Sequence, residues 1–247
     1  MSTPLLVEQQ ADRVVVRLHR PEVRNAIDLA TVQALHEVCR ALEDEPRVAL
    51  LIGSGGTFAA GADIAQLRER RREDALRGIN SGIFARIQRL PMPVIALIDG
   101  YALGGGAELA YACDFRIGTP TARIGNPEPG LGILAAAGGT WRLRELVGEP
   151  LAKEILLAGR ILDADEAAAV RLLNEVVPAA DLEAAGHRLA DRIVAQAPLA
   201  VRLTKAVFHA PPDAHPLLDE VAQAVLFETQ DKRDRMQAFL DRGKARS

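Results

Sequence analysis

The stretch from Gly100 to Asp114, GYALGGGAELAYACD, limits what this chain can fold into more than any other. Gly104, Gly105 and Gly106 follow the apolar run MPVIALIDG and lead into a segment that is small or apolar on nearly every side. A buried strand, a glycine turn and an apolar helix in that order leave no polar face for water, so other layers must cover them. The same order occurs earlier, where RVALLIG runs into SGGTFAAGAD. Two such units argue for stacked βα layers around one core, and 247 residues, 49% of them hydrophobic, suffice to build it. One carboxylate, Glu108, stands inside the apolar helix. Removing an ionised carboxylate from water costs several kcal/mol, so such a residue shifts its pKa, finds a partner or has a task.

The rest of the chain surrounds these units. LLVEQQ and RVVVRLHR, separated by Ala11 and Asp12, read as a hairpin, and PEVRNAID as a polar turn. DLATVQALHEVCRALEDEP carries apolar residues at helical spacing, with Asp28 as N-cap and Pro46 as stop. A charged helix is expected from about Glu73 to Leu90. From about Asp181 the pattern is amphipathic helices, broken most clearly at APPDAHP. We therefore expect a core over 1–180 and a helical region over 181–247.

Composition removes several function classes. With Lys+Arg 30 against Asp+Glu 33, a net charge of -3 offers no general attraction to nucleic acid or to an anionic membrane. No window approaches a membrane span, and the basic, apolar start of a secretory leader is missing, so a cytoplasmic protein is expected. Cys39 and Cys113 have no metal or redox spacing and read as core residues. The five histidines share no metal-ligand spacing. The mixed-sign run RERRRED, Arg68 to Asp74, reads as a solvated face, with a contact to phosphate groups as the sharper alternative.

The glycine loops fail the dinucleotide fingerprint, since Phe58 and Leu109 stand where its third glycine is needed, and neither is a lysine-bearing phosphate loop. A glycine turn opening a helix still presents unpaired N–H groups at the positive end of the helix dipole. Two such loops could aim two donors at one oxygen, as an oxyanion hole requires; alternatively the glycines only permit tight turns and close packing. Glu108 falls near the third helical position, where a capping box is the plain alternative to chemistry. In GNPEPGLG, Glu128 is held between Pro127 and Pro129. Alone it is a solvated turn carboxylate, whereas two glutamates on neighbouring rigid loops suit shared acid/base work.

FAAGADI, GYALGGGAELAYACD and GNPEPGLGILAAAGGTWRL, with LHRPEVRNAID before them and RMQAFLDRGKARS after, resemble successive signature segments of the enoyl-CoA hydratase/isomerase, or crotonase, superfamily over nearly the whole chain. The resemblance implies an α/β fold, a spiral of ββα units with a helical C-terminal region used in trimerisation. It implies acyl-CoA thioester substrates, an enolate held on the N–H groups of Ala62 and Gly105, and Glu108 and Glu128 acting on water and on the α-carbon. Both glutamates favour hydration, with double-bond isomerisation or another acyl-CoA reaction as the alternative. No cofactor is implied, coenzyme A being part of the substrate. Ala60, Asp63 and Ile64 match substrate-binding positions, and a homotrimer or a pair of trimers is expected. Because some relatives bind RNA, a fold-retaining RNA- or partner-binding protein is the non-enzymatic alternative, which the acidic balance and 4% aromatics oppose.

This chain departs from the family pattern at three places. Ala135-Ala136-Ala137 replaces Pro-Gly-Ala, and the glycine matching Ala136 can donate its N–H to the reacting water. Alanine keeps that donor but would be strained in a left-handed conformation. Trp141 replaces a common glutamine and is expected to alter packing behind the site. Ala65 replaces a lysine near the CoA phosphates, for which Arg24, Arg242 or Lys244 are the substitute cations.

Overall fold

The computed structural model describes residues 3–244, with the side chains of 243 and 244 excepted. The chain forms two compact units, Met1–Ala190 and Asp191–Ser247, a division later than the one drawn at 180 from the sequence.

In the first unit the expected hairpin is β1 (Leu5–Gln9) and β2 (Arg13–Leu18), paired antiparallel. Helix α1 (Leu29–Asp44) begins at Asp28, whose carboxylate accepts from Thr31 N at 2.8 Å. It ends before Pro46, which cannot continue a helix. Strands β3 (Val48–Gly53) and β4 (Val94–Ile98) extend the sheet in parallel. Between them lie α2 (Ile64–Glu69), α3 (Arg72–Leu76) and α4 (Ile79–Gln88). The single charged helix expected over about 73–90 is thus two helices, because Gly78 takes a left-handed φ of 63° and restarts the chain as the N-cap of α4. The run RERRRED is spread over α2, its end and α3, mostly exposed.

Strand β5 (Tyr101–Leu103) then leads into α5 (Gly105–Tyr111), every residue of which is buried. After it come β6 (Phe115–Gly118), β7 (Arg123–Gly125), a 3-10 turn at Glu128–Leu131 and a π-helical turn at Gly139–Leu143. The unit continues through α6 (Arg144–Val147), α7 (Glu149–Ala158), β8 (Ile161–Asp163), α8 (Ala164–Ala169) and β9 (Glu175–Val176). One sheet has the order β1-β2-β3-β4-β6-β9 and a smaller one the order β5-β7-β8. The large sheet is covered on both faces. Ala49, Leu51, Val94, Ala96 and Ile98 belong to the core shared with α1 and α4. On the other side Leu50 and Leu97 meet Gly186 of α9 (Leu182–Val194) so closely that a Cβ there would lie 2.8–3.0 Å from their methyl groups. Hence β3 and β4 read as unbroken apolar runs. Cys39 and Cys113 are both buried and form no disulfide, as expected for core residues.

The second unit contains α10 (Pro198–Phe208), α11 (Leu217–Phe227) and α12 (Gln230–Lys244), with the break at APPDAHP between α10 and α11. No helix among the described residues is long and apolar enough to cross a membrane.

Candidate active site

Backbone pairing brings the two glycine loops together. Ala59 N donates to Tyr101 O at 3.0 Å and its carbonyl accepts from Leu103 N at 3.0 Å, so the first loop is stitched to the strand that precedes α5. On its other side Ile27 N donates to Gly61 O at 2.8 Å and Asp63 N to Ile27 O at 3.0 Å. With both flanking groups turned toward Ile27, strand alternation turns the Ala62 N–H the opposite way. There it meets α5: a Cβ on Gly105 would sit 3.4 Å from Ala62 N. Neither the Ala62 nor the Gly105 N–H donates to another protein group among the described residues. Two free donors therefore border one small space at the start of α5.

The three glycines have different tasks. A Cβ at Gly106 would overlap the Ala59 carbonyl, so there the packing explanation holds. Gly104 has φ 52° and caps α5, and a Cβ on it would lie 3.3 Å from Glu128 Oε1. Only at Gly105 does the missing side chain open space beside the donors. Asn80 borders the same space, its Nδ2 lying 3.6 Å from the Gly105 Cβ position while its Oδ1 accepts from Arg70 at 3.2 Å.

Glu108 is the fourth residue of α5, not the third, and makes no capping box. Its Oε1 instead accepts from Ala137 N at 2.7 Å and Gly139 N at 2.9 Å. The side chain is 4% exposed. Burial pushes its pKa up to about 7, helped by repulsion from Glu128, against the pull of the Gly139 and Ala137 N–H groups and of Arg142. Glu128, 7% exposed, is raised by burial as well, while its own backbone N–H and Asn126 pull it down. Asn126 Nδ2 lies 3.3 Å from Glu128 Oε1 and 3.4 Å from Gly104 O, and its Oδ1 accepts from Tyr111 OH at 3.0 Å. Glu128 Oε2 is buried with no hydrogen-bond partner. A buried oxygen without a partner costs free energy, and at a reactive centre it is the atom left for a substrate. The site thus holds two buried carboxyls, both raised above the ordinary carboxylate pKa, beside a pair of N–H donors suited to a developing oxyanion.

The other expected residues fall as follows. Ala60 N donates to Arg24 O at 3.0 Å, which sets exposed Arg24, at a left-handed φ of 53°, beside the first loop. Asp63 caps α2 by accepting from Gln66 N at 3.2 Å and pairs with Arg20 at 3.5 Å; Arg20 also holds Asp28 at 3.2 Å. Ile64 opens α2 and is exposed. Ala136 is exposed and lies in the turn that binds Glu108, and it does not adopt a left-handed conformation, so the anticipated strain is absent. Trp141 is 45% exposed rather than packed behind the site; its ring faces Arg142, the guanidinium carbon 5.1 Å from the ring centre. Exposed Arg242 belongs to the second unit, and the side chain of Lys244 lies outside the described residues.

Asn126, Tyr111, Asn80 and Arg142 escaped the sequence reading. Asn126 stood in the quoted segment GNPEPGLG, and an asparagine before a proline next to Glu128 was the available signal. The others each meet at least one partner distant in sequence, Gln88 for Arg142, Asn126 for Tyr111 and Gly105 for Asn80, which no local pattern reports.

The chain has relatives among known proteins. Residues 8–246 match the enoyl-CoA hydratase/isomerase family. A crotonyl-CoA hydratase of Syntrophomonas wolfei is 38% identical over 250 residues, 98% of this chain and 96% of the relative. A short-chain-enoyl-CoA hydratase of Clostridium acetobutylicum is 35% identical, covering 97% of this chain and 95% of its own. The crystal structure of an enoyl-CoA hydratase from Bacillus anthracis superposes with a TM-score of 0.91 at 33% identity, over 97% of this chain and 96% of that one. The chain belongs to the enoyl-CoA hydratase/isomerase family, the crotonase superfamily.

Proposed function

We propose that the chain catalyses reversible addition of water to a trans-2-enoyl-CoA thioester, giving a 3-hydroxyacyl-CoA. The observation that carries this reading is the pair of buried carboxyls, one resting on two N–H groups and one with an orphaned oxygen, beside the free donors of Ala62 and Gly105. The hydratase names of the two relatives above support the same reaction class. Addition at the β-carbon puts charge on the thioester oxygen, where each preorganised N–H contributes about 3 kcal/mol to the transition state. Glu108, held in place by its two donors, takes a proton from the attacking water. Glu128 Oε2 delivers one to the α-carbon, and dehydration reverses both transfers. Burial raises both carboxyls, favouring the protonated form that can give up a proton.

The scheme calls for no metal or redox cofactor, since proton transfer and oxyanion stabilisation are its only demands. Arg24 is the first-unit cation proposed for the CoA phosphates. For assembly we propose a trimer or a pair of trimers. In the second unit Leu217, Val221, Val225 and Phe227 of α11, with Phe239 and Leu240 of α12, are exposed, more apolar surface than a helical face normally leaves to water.

The test is loss of the unsaturated-thioester absorbance over a panel of enoyl-CoA chain lengths, with product masses. A product heavier by one water supports hydration. A product of unchanged mass supports double-bond migration instead, and no turnover of any member contradicts both.

A further inference from the structure

Arg142 is 3% exposed, yet no carboxylate pairs with it among the described residues. Its Nε and Nη2 both donate to Gln88 Oε1, at 3.0 and 2.9 Å, and its Nη1 donates to Ala137 O at 3.0 Å. A guanidinium taken out of water onto neutral acceptors alone is costly, so it needs compensation elsewhere. The Ala137 carbonyl lies in the same turn as the Ala137 and Gly139 N–H groups that hold Glu108. The turn is therefore gripped from two sides, by a carboxylate on its N–H groups and by a cation on its carbonyl. Gly138, at its apex, holds a φ of 136° that L side chains rarely adopt, and a Cβ there would also crowd Arg142 Nη1. Trp141, a departure from the family pattern, stacks against the guanidinium.

We propose that Arg142 is a positioning residue: it clamps the Ala137–Gly139 turn so that both N–H groups meet Glu108, and it supplies the positive charge facing that carboxylate. The inference rests on the hydration reading, in which Glu108 must be ionised to take a proton from water. The charged and titratable groups around the pair are Glu128 and Tyr111 on the Glu108 side and Glu145, Arg89 and Cys113 on the Arg142 side. Among them Arg142 is the cation that opposes the rise in the Glu108 pKa caused by burial and by Glu128.

The experiment compares the pH profile of kcat/KM for hydration in wild type, Arg142→Met and Arg142→Lys, each checked for folding by circular dichroism. Losing the cation should move the acid limb of Arg142→Met upward by about one pH unit. At pH 7 its kcat should fall roughly tenfold or more, with KM nearly unchanged. Lysine keeps the charge without the fork, so Arg142→Lys should move the limb less and recover part of kcat. A folded Arg142→Met with the wild-type limb overturns the proposal. If Arg142→Met does not fold, Gln88→Met, which removes the one oxygen that accepts two of the hydrogen bonds of Arg142, should shift the limb in the same direction, and an unmoved limb overturns it equally. A wild type that hydrates no enoyl-CoA sinks the hydration reading instead. The carboxyl infrared band lost in Glu108→Gln then titrates Glu108 without substrate. A titration higher in Arg142→Met than in wild type, with Arg142→Lys moved less, supports the clamp; equal titration in all three contradicts it.

Discussion

Glu108 is pulled two ways, by burial that favours the proton and by N–H groups that favour the charge, and the outcome is a pKa of about 7 against an ordinary 4.5. Between those values the folded chain keeps a proton that the unfolded chain has released. Stability present below pH 4.5 is therefore lost as pH rises through 7, by on the order of 3 kcal/mol from this group. Glu108→Gln, whose amide oxygen can still accept from Ala137 and Gly139, should remove most of that slope and be the more stable protein at pH 8. Urea unfolding of both at pH 5 and pH 8 checks this; a parallel fall in both would show that Glu108 is not its source. At this scale the sequence was informative where a residue clashes with its surroundings. Glu108 was conspicuous as a carboxylate in an apolar run, and Glu128 as one between prolines. Arg142 was not, because its burial depends on Gln88 and Ala137, which meet it only in the fold.

Elements carry the site through close backbone approach, and glycine serves opposite ends in neighbouring helices. Gly106 lies in α5 against the Ala59 carbonyl, with no room for a side chain, whereas Gly82 lies in α4 with nothing within 4 Å of its Cβ position. Gly106→Ala should cost roughly 2 kcal/mol and push the two donor loops apart, lowering kcat/KM with it. Gly82→Ala should stabilise by about 0.5 to 1 kcal/mol, since alanine is the better helix former and meets no obstacle. Chemical denaturation of the two variants reads both signs, and equal effects would contradict the packing described for α5. Strands and capped helices were legible as elements because their signals are local: Asp28 caps α1 where expected. The break at Gly78 was missed because the charges around it continue a helical pattern that only its left-handed backbone interrupts.

For the whole molecule, the apolar residues left exposed on α11 and α12 lead to an expected trimer or hexamer in sedimentation velocity at micromolar concentration. A monomer alone would contradict that assembly. The order of the layers followed from two strand–glycine–helix units, while the pairing of one loop with Ile27 and with β5 did not, since it joins segments far apart in sequence. The central claim is that two carboxyls share one hydration, and the direct measurement is turnover of a trans-2-enoyl-CoA by wild type, Glu108→Gln, Glu128→Gln and the double variant, all shown to be folded. Each single change should lower kcat by about two to four orders of magnitude, and the double variant should be little worse than either, because groups acting as a unit on one transition state are not additive. Near-normal hydration by Glu108→Gln, with loss confined to Glu128→Gln, would contradict the two-carboxyl account and indicate a single proton shuttle.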